Sequence, residues 1–275
     1  MTSLTAIDFG TTTTLVATRT DDLAGVIPIG ENRTTSEMPS ICTLDKMSST
    51  ISVVGENSLA QIENNKNIVL RSIKRCLSCV SGECKNLDSA GVPCSLQSTL
   101  ATQSNDHRNA IVIAAVKSIM SEAFQRAEVR LRRGALPRRL QIGCPVEFGY
   151  GERSVLAECA SGFGSVVSVR NIIEESIAAA RSYLIVQRQG ASSGNRRILI
   201  VDVGGGSLDL AVLDVVVGAE ARIEIVATGG DRLLGGDDFD DIICDDIIDQ
   251  VAKKEKLQHS ELVELIRSNP SDQFR

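Results

Sequence analysis

Apolar runs interrupted by glycine turns predict two β-hairpins in this chain. The first covers residues 4–18 and turns at Gly10. The second joins the apolar run 198–203 to the run 208–213 through three consecutive glycines. Runs rich in Ile, Leu and Val are typical of strands in a buried sheet, and glycine allows the tight turn between them. Each unit is therefore predicted to be a strand, a turn and a second strand.

The remaining segments contain further predicted strands and helices. Strands are predicted at residues 25–30, 39–44, 51–55, 140–148, 166–170 and 221–228. Helices are predicted at residues 56–64, 110–131, 152–161, 171–185 and from 236 onwards, followed by an amphipathic segment at 260–268. Apolar residues recur at helical spacing in the helix after Gly236, where they predict an apolar face: Ile242, Ile243, Ile247, Ile248 and Val251. Asn109 or Asp106 is the expected N-cap of helix 110–131.

The two predicted hairpins carry matching polar residues at their turns. The first hairpin contributes Asp8, Gly10, Thr11 and Thr12, and the second contributes Asp202, Gly204, Gly205, Gly206 and Ser207. In this comparison Asp8 aligns with Asp202, Gly10 with Gly204, and residues 15–17 with 210–212. Backbone N–H groups beside hydroxyls suit phosphate, and carboxylates suit Mg²⁺ that retains water ligands. An ordinary hairpin with glycine turns is the alternative for either one, but two with the same chemistry favour a polyphosphate site between two lobes.

The pair resembles the phosphate-1 and phosphate-2 loops of the actin/Hsp70/sugar-kinase ATPase superfamily. Residues 7–12, Ile-Asp-Phe-Gly-Thr-Thr, are close to the Hsp70 form, and residues 228–240, with Gly235 and Gly236, are close to the Hsp70 signature at the start of a long helix. The resemblance covers nearly the whole chain. It implies an α/β, actin/Hsp70-like ATPase fold of two lobes with mixed sheets flanked by helices.

The resemblance also implies a domain organisation. Residues 1–186 correspond to lobe I, the polar Gly- and Ser-rich stretch 187–197 to the connection, and residues 198–275 to a partial lobe II. Hsp70 ATPase domains continue past this point with a subdomain that helps to hold the adenosine, and a peptide-binding domain follows. The expectation is therefore a C-terminally truncated chain.

Site roles follow from the same resemblance. Asp8 and Asp202 would hold Mg²⁺ through water, while the turn residues named above, with Gly235 and Gly236, would bind the nucleotide phosphates. Lys74 and Glu175, together with Asp202, would position the attacking water. Pro145 and Arg153 would couple the nucleotide state to the peptide-binding half. From the residues alone, Lys74 could instead be a solvated surface charge, and Glu175 a favourable charge at a helix N-terminus.

The implied function is Mg-dependent ATP binding and hydrolysis that drives a chaperone cycle. Residues 72–75, 227–231 and 235–240 are most similar to HscA, the branch of the family that serves iron–sulfur cluster assembly. The implied partners are ATP or ADP, a J-domain co-chaperone, an iron–sulfur scaffold protein and a complementary C-terminal chain. The alternatives are a non-catalytic fragment or half of a split chaperone that acts through protein contacts, and a sugar or acetate kinase of the same superfamily.

Composition narrows the class of partner. The 275 residues carry a net charge of −6 and include no Trp, two Tyr and six Phe. The negative charge argues against nucleic acid or an anionic membrane as the partner, because both bind basic surfaces. The scarcity of aromatic residues also argues against single-stranded nucleic acid, whose bases stack on aromatic side chains. No secretory signal pattern and no membrane-length apolar run occurs, so the expected location is the cytoplasm.

The eight cysteines fall into two groups. Cys42, Cys144, Cys159 and Cys244 lie in apolar segments and are expected to be buried. Cys76, Cys79, Cys84 and Cys94 lie close together in a polar loop. Closely spaced thiolates suit zinc or an iron–sulfur cluster, but the spacing matches no standard zinc motif and the loop holds no histidine, so loop thiols are favoured over a metal site.

Overall fold

A computed structural model describes nine stretches of the chain, which form two main sheets, a small third sheet and the helices that pack on them. The stretches are residues 3–20, 24–32, 34–61, 66–81, 104–131, 136–162, 172–187, 194–217 and 222–268. This architecture confirms the predicted α/β class of sheets flanked by helices.

The first sheet contains six strands. They are β1 Leu4–Phe9, β2 Thr13–Arg19, β3 Ala24–Ile27, β4 Glu37–Pro39, β8 Leu140–Cys144 and β9 Ile172–Glu174. The order is β3–β2–β1–β8–β9, and β4 pairs with β2. β1, β8 and β9 run parallel, so their carboxyl ends meet at one edge, which is where open α/β sheets place their ligands.

A small antiparallel sheet and two 3₁₀ helices lie beside the first sheet. The strands of the small sheet are β5 Cys42–Asp45, β6 Ile51–Val54 and β7 Asn67–Leu70. The 3₁₀ helices are Gly55–Gln61 and Ile73–Cys76. The second 3₁₀ helix continues into the short helix α1, Leu77–Val80.

Helices α2 Asn105–Arg130 and α3 Tyr150–Ala160 cover the first sheet. The apolar face of α2 is buried against the same core as Ile7, Phe9 and Ile142. The predicted N-cap of α2 was wrong: the helix begins one turn earlier, where the Ser104 hydroxyl accepts a hydrogen bond from the backbone N–H of His107 at 3.3 Å. Asn109 and Asp106 lie inside the helix, since a serine cap was available nearer to the loop.

The second sheet is a three-stranded antiparallel meander. Its strands are β10 Gly194–Val203, β11 Leu208–Val217 and β12 Arg222–Asp231. Helix α4, Glu175–Gln187, packs on one face and forms a small second core of Ile177, Ala180, Leu184, Ala211, Leu213 and Val215. On β10, the side chains of Leu199, Val201 and Val203 point to the opposite face and are more than half exposed.

Helices α5 Gly236–Glu255 and α6 His259–Ser268 complete the described chain. The apolar face predicted for α5 is largely exposed, because Ile242, Ile243 and Ile247 are 67%, 56% and 53% exposed and only Ala252 of the helix is buried. An apolar stripe shows that a helix is suited to burial, but the elements that cover it depend on the tertiary structure.

Two further sequence expectations can be compared directly with the structure. Residues 172–174, expected to open a helix, instead form β9, because Ile172 pairs with Ile142 of β8. Cys42, Cys144 and Cys159 are buried as expected, but Cys244 is exposed on α5. The strand expected at 166–170 lies outside the described residues, as do Cys84 and Cys94. Within the described stretches, no helix combines the length and apolar composition needed to cross a membrane.

Candidate phosphate-binding site

The two hairpins turn in the same way. In the first, the N–H of Gly10 donates to the carbonyl of Thr13 at 2.9 Å, and in the second the N–H of Gly204 donates to the carbonyl of Ser207 at 2.9 Å. The last strand pairs before the turns are Phe9 with Thr14 and Val203 with Leu208, so both turns have the same length. The repeat seen in the sequence is therefore also a repeat of backbone structure.

The strand register corrects one part of the sequence alignment and reveals a residue that it missed. Asp8 pairs with Leu15, whereas Asp202 pairs with Asp209. Leu15 therefore corresponds to Asp209, one residue before the leucine assigned to it from the sequence. Asp209 is only 6% exposed and accepts a hydrogen bond from the Ser207 hydroxyl at 3.0 Å. The sequence did contain a signal for Asp209. Asp202 and Asp209 lie at equal distances from the turn, and residues opposite each other in a hairpin lie on the same face of the sheet.

The tips of the two turns lie against each other. A methyl group added at Gly205 would lie 2.2 Å from Cγ2 of Thr12, and one added at Gly206 would lie 2.5 Å from Cγ2 of Thr11. Both distances are far below van der Waals contact, so a larger residue at either position would force a threonine side chain of the first turn to move. The structure thus brings together the hydroxyls of the first turn and the glycines of the second.

The second turn rests on the N-terminus of α5. The N–H of Gly236 donates to the carbonyl of Gly204 at 2.9 Å, and the N–H of Asp237 donates to the carbonyl of Gly205 at 2.8 Å. A methyl group at Gly235 would lie 2.6 Å from the backbone nitrogen of Gly206. Gly235 and Gly236 therefore support the turn from behind, and the first amides of the helix satisfy loop carbonyls.

Lys74 is held in the site by an unusual backbone turn. Ser72 adopts the left-handed conformation (φ 53°, ψ 29°) immediately before the 3₁₀ helix Ile73–Cys76. This turn directs Lys74 inwards, where it is 6% exposed and its Nζ lies 2.8 Å from Oε1 of Glu175. The alternative of a solvated surface lysine was therefore wrong.

Three carboxylates surround the ammonium group of Lys74. Burial opposes its charge, but Glu175, Asp8 and Asp209 outweigh that effect and raise the pKa of Lys74. Burial raises the pKa of Glu175, and the nearby Asp8 and Asp209 add to this rise while Lys74 opposes it. Burial likewise raises the pKa of Asp209, and Asp202 contributes to the rise. The site therefore combines one buried cation with an excess of acidic groups.

The predicted metal residues come from both sheets. Asp8 lies near Glu175, because a methyl group added at Gly143 would lie 3.8 Å from Oδ1 of Asp8 and 3.3 Å from Cγ of Glu175. Asp202 ends β10 opposite Asp209. In the part of the chain that the structure describes, no three acidic, His or Cys side chains are grouped closely enough to ligate a metal directly. Separated carboxylates fit Mg²⁺ that keeps its waters better than they fit a closed protein cage.

The predicted coupling residues lie at the end of β8 and on α3. Pro145 follows β8 directly. Arg153 donates from Nε to the carbonyl of Phe148 at 2.8 Å and pairs with Glu174 at 2.9 Å. This arrangement ties the segment between β8 and α3 to the end of β9, next to Glu175.

Comparison with known proteins identifies the family to which these features correspond. The family model described as "Hsp70 protein" matches residues 4–267. The chain is 29% identical over 254 residues to a protein named "Chaperone protein DnaK" from Thermosipho melanesiensis. The match covers 92% of this chain and 36% of that relative, so the chain spans about a third of the relative's length.

Proposed function

The chain belongs to the Hsp70 family, and on that premise we propose that it binds Mg-ATP between the two hairpin turns and hydrolyses it to drive a chaperone cycle. The observation that carries the proposal is the buried ion pair of Lys74 and Glu175, at 2.8 Å, beside both turns. A buried lysine among carboxylates, in reach of glycine turns, suits stabilisation of charge on phosphoryl oxygens. The Hsp70 match favours this reading over a sugar or acetate kinase.

Each residue has a defined part in the proposed reaction. A Mg²⁺ held beside the turns would supply positive charge that stabilises the phosphoryl oxygens. Asp8 and Asp202 would accept hydrogen bonds from the waters of that ion. The turn residues would orient the phosphates: Gly10, Thr11, Thr12, Gly204, Gly205, Gly206 and Ser207. Lys74 would place its charge near the transferred group, while Glu175 and Asp209 would orient the attacking water.

Titration calorimetry with Mg-ATP tests this proposal directly. We expect binding by the wild-type chain and slow release of inorganic phosphate, both weakened in Asp8→Asn and Asp202→Asn. Lys117→Ala is the matched control, because Lys117 is exposed and pairs only weakly with Glu158 at 3.4 Å. Absence of Mg-ATP binding by the folded wild-type chain would overturn the proposal.

We further propose that the chain belongs to the branch of the family that serves iron–sulfur cluster assembly. The support for this proposal is the similarity of residues 72–75, 227–231 and 235–240 to HscA. A J-domain co-chaperone and an iron–sulfur scaffold protein would then be partners. Phosphate release should be stimulated by a J-domain protein dedicated to cluster assembly more than by a general one, and equal stimulation would remove this assignment.

A second candidate function is supported by apolar side chains that are exposed on the surface of the second sheet and of α5. Leu199, Val201 and Val203 of β10, and Ile242 and Ile243 of α5, are all more than half exposed. Such a surface suits burial by another polypeptide, such as the complementary C-terminal chain of a split chaperone. The test is to add a polypeptide that corresponds to the part of an Hsp70 ATPase domain that comes after the region matched by this chain. Stable complex formation that Ile243→Lys abolishes would support this candidate, and no complex would reject it.

The division into lobes is also proposed. Helix α4 ends at Gln187 and β10 begins at Gly194, which supports a connection within residues 187–197. Limited proteolysis should cut there first, because a polar connection between packed units is the most accessible backbone. Initial cleavage before residue 187 or after residue 197 would argue against this boundary.

A further inference from the structure

Arg232 crosses from the second sheet to the first. It follows β12 directly, which places it in the turn that leads to α5. Its Nη1 donates to Oε1 of Glu152 at 2.8 Å and lies 3.4 Å from the Ser78 hydroxyl. Glu152 belongs to α3, and Ser78 belongs to the helical segment after Lys74. This arginine therefore makes its contacts across the space between the two main sheets, which we call the cleft.

Glu152 is a buried and fully engaged partner for this arginine. Its side chain is 0% exposed. Besides Arg232, it accepts hydrogen bonds from the Ser78 hydroxyl and from the N–H of Gly149, both at 3.0 Å. A carboxylate withdrawn from water needs a cation and hydrogen bonds to remain charged. Arg232 supplies that cation from the opposite side of the cleft.

Arg232 also contacts Glu147, and this second contact requires the planar guanidinium of an arginine. The Nη2 group of Arg232 donates to the backbone carbonyl of Glu147, and its Nε lies 3.5 Å from Oε2 of the same residue. The planar guanidinium therefore engages both Glu147 and Glu152, which bracket the start of α3. A lysine carries the charge but lacks the fork that makes these contacts together.

The two surfaces that Arg232 joins both belong to the candidate site. On the first sheet, residues 147–152 lie between Pro145 and Arg153, the predicted coupling residues. On the second sheet, the turn after Arg232 contains Gly235, which packs on the backbone of Gly206 at the second phosphate turn. A contact through Arg232 thus connects that turn to the coupling segment.

We propose that Arg232 is a positioning residue that holds the second phosphate turn against the first, so that the two turns can separate only when its contacts with Glu147 and Glu152 break. Arg75 adds a neighbouring tie, since it donates from Nε to the carbonyl of Gly206 at 2.8 Å and pairs with Asp238. These contacts limit opening of the cleft. The consequence of this opening for nucleotide release rests on the proposed function, but the contact between the two sheets through Arg232 does not.

Hydrogen–deuterium exchange of the chain without nucleotide tests the coupling. In Arg232→Ala we expect amides in residues 145–153 and 204–206 to exchange about tenfold faster, the factor that loss of one charged hydrogen bond produces. Arg232→Lys should show a smaller increase. The matched control is Arg197→Ala, because Arg197 and Asp214 form an exposed pair within the second sheet at 2.7 Å; it should leave both segments unchanged.

A double variant separates coupling from simple loss of structure. Glu152→Gln should give much of the same increase, and Glu152→Gln combined with Arg232→Ala should add little to it, because the two residues act as one contact. Faster exchange confined to residues 229–235, or additive effects, would overturn the proposal. If Arg232→Ala fails to fold, the Arg232→Lys and Glu152→Gln variants decide the same question.

The nucleotide readout distinguishes this inference from the proposed function. If the chain binds Mg-ADP, Arg232→Ala should release it about tenfold faster, in line with the exchange result. If the chain binds no nucleotide, the proposed function fails while the exchange experiment still tests the contact. Faster exchange without faster release would reject the role of Arg232 in limiting release.

Discussion

Lys74 and Glu175 form a buried ion pair with an Nζ–Oε1 distance of 2.8 Å, although 101 residues separate them in the sequence. Lys74 lies on a 3₁₀ turn beside the first sheet, and Glu175 opens the helix that packs on the second sheet. Because Glu175 also directly follows β9 of the first sheet, the pair ties the 3₁₀ turn to the carboxyl end of that sheet.

Removal of Lys74 should affect both stability and turnover. Lys74→Ala leaves Glu175 buried beside Asp8 and Asp209 without its cation, so we expect a loss of about 3 kcal/mol in the free energy of unfolding. ATP turnover should fall by about 10²–10³-fold, as when a positioned electrostatic group is removed. Urea denaturation and phosphate-release assays measure the two effects. Lys117→Ala should change neither, and equal effects of the two variants would show that the pair has no special role.

Substitution of Asp209 should alter the pH dependence of stability. Because the pKa of Asp209 is raised above its ordinary value of 3.8, the folded protein binds a proton more tightly than the unfolded chain does. The carboxyl group therefore favours folding most below pH 3.8, and this contribution is lost as the pH rises through the raised pKa. In urea titrations, the stability of Asp209→Asn relative to wild type should increase as the pH rises from 3.8 through the raised pKa of Asp209. A stability difference that is constant with pH, or that shrinks, would contradict this assignment.

A methyl group at the second turn should push the two turns apart. Gly205→Ala places its Cβ 2.2 Å from Cγ2 of Thr12, so we expect a loss of about 1–3 kcal/mol from overpacking and weaker Mg-ATP binding. Thr12→Ser removes Cγ2 and should partly restore stability in the double variant. Gly229→Ala is the control, because a methyl group there meets nothing within 4 Å. Thermal unfolding and calorimetry give the comparison, and the absence of any relief by Thr12→Ser would show that the clash lies elsewhere.

Ser176 should be replaceable with a gain in stability. Its side chain is buried, and among the described residues its hydroxyl has no hydrogen-bond partner. Ser176→Ala removes an unsatisfied polar group at the start of α4 and should raise the free energy of unfolding by about 1 kcal/mol. Ser40→Ala should do the opposite, because the Ser40 hydroxyl is buried and hydrogen-bonded to that of Thr14 at 2.8 Å. A loss of stability in Ser176→Ala would indicate that the hydroxyl is satisfied in solution.

Much of the local structure was predictable from the sequence, and the errors have physical causes. The hairpins were correct because glycine turns and apolar strands are short-range signals. Asp209 was missed because comparison by residue type placed Leu15 opposite Leu210, whereas the strand register places it opposite Asp209. The expected burial of Cys244 was wrong because an apolar sequence context does not reveal which elements cover a helix.

The sequence by itself determined the two turns, their carboxylates and hydroxyls, and membership of the Hsp70 family, since these depend on neighbouring residues and their order. Only the tertiary structure decided that Lys74 is buried against Glu175, that Gly205 and Gly206 contact the first turn, and that Arg232 reaches Glu152. These contacts join residues far apart in the chain. Their existence depends on how sheets and helices pack, because burial and pairing are properties of the assembled interior and are not encoded in any single segment.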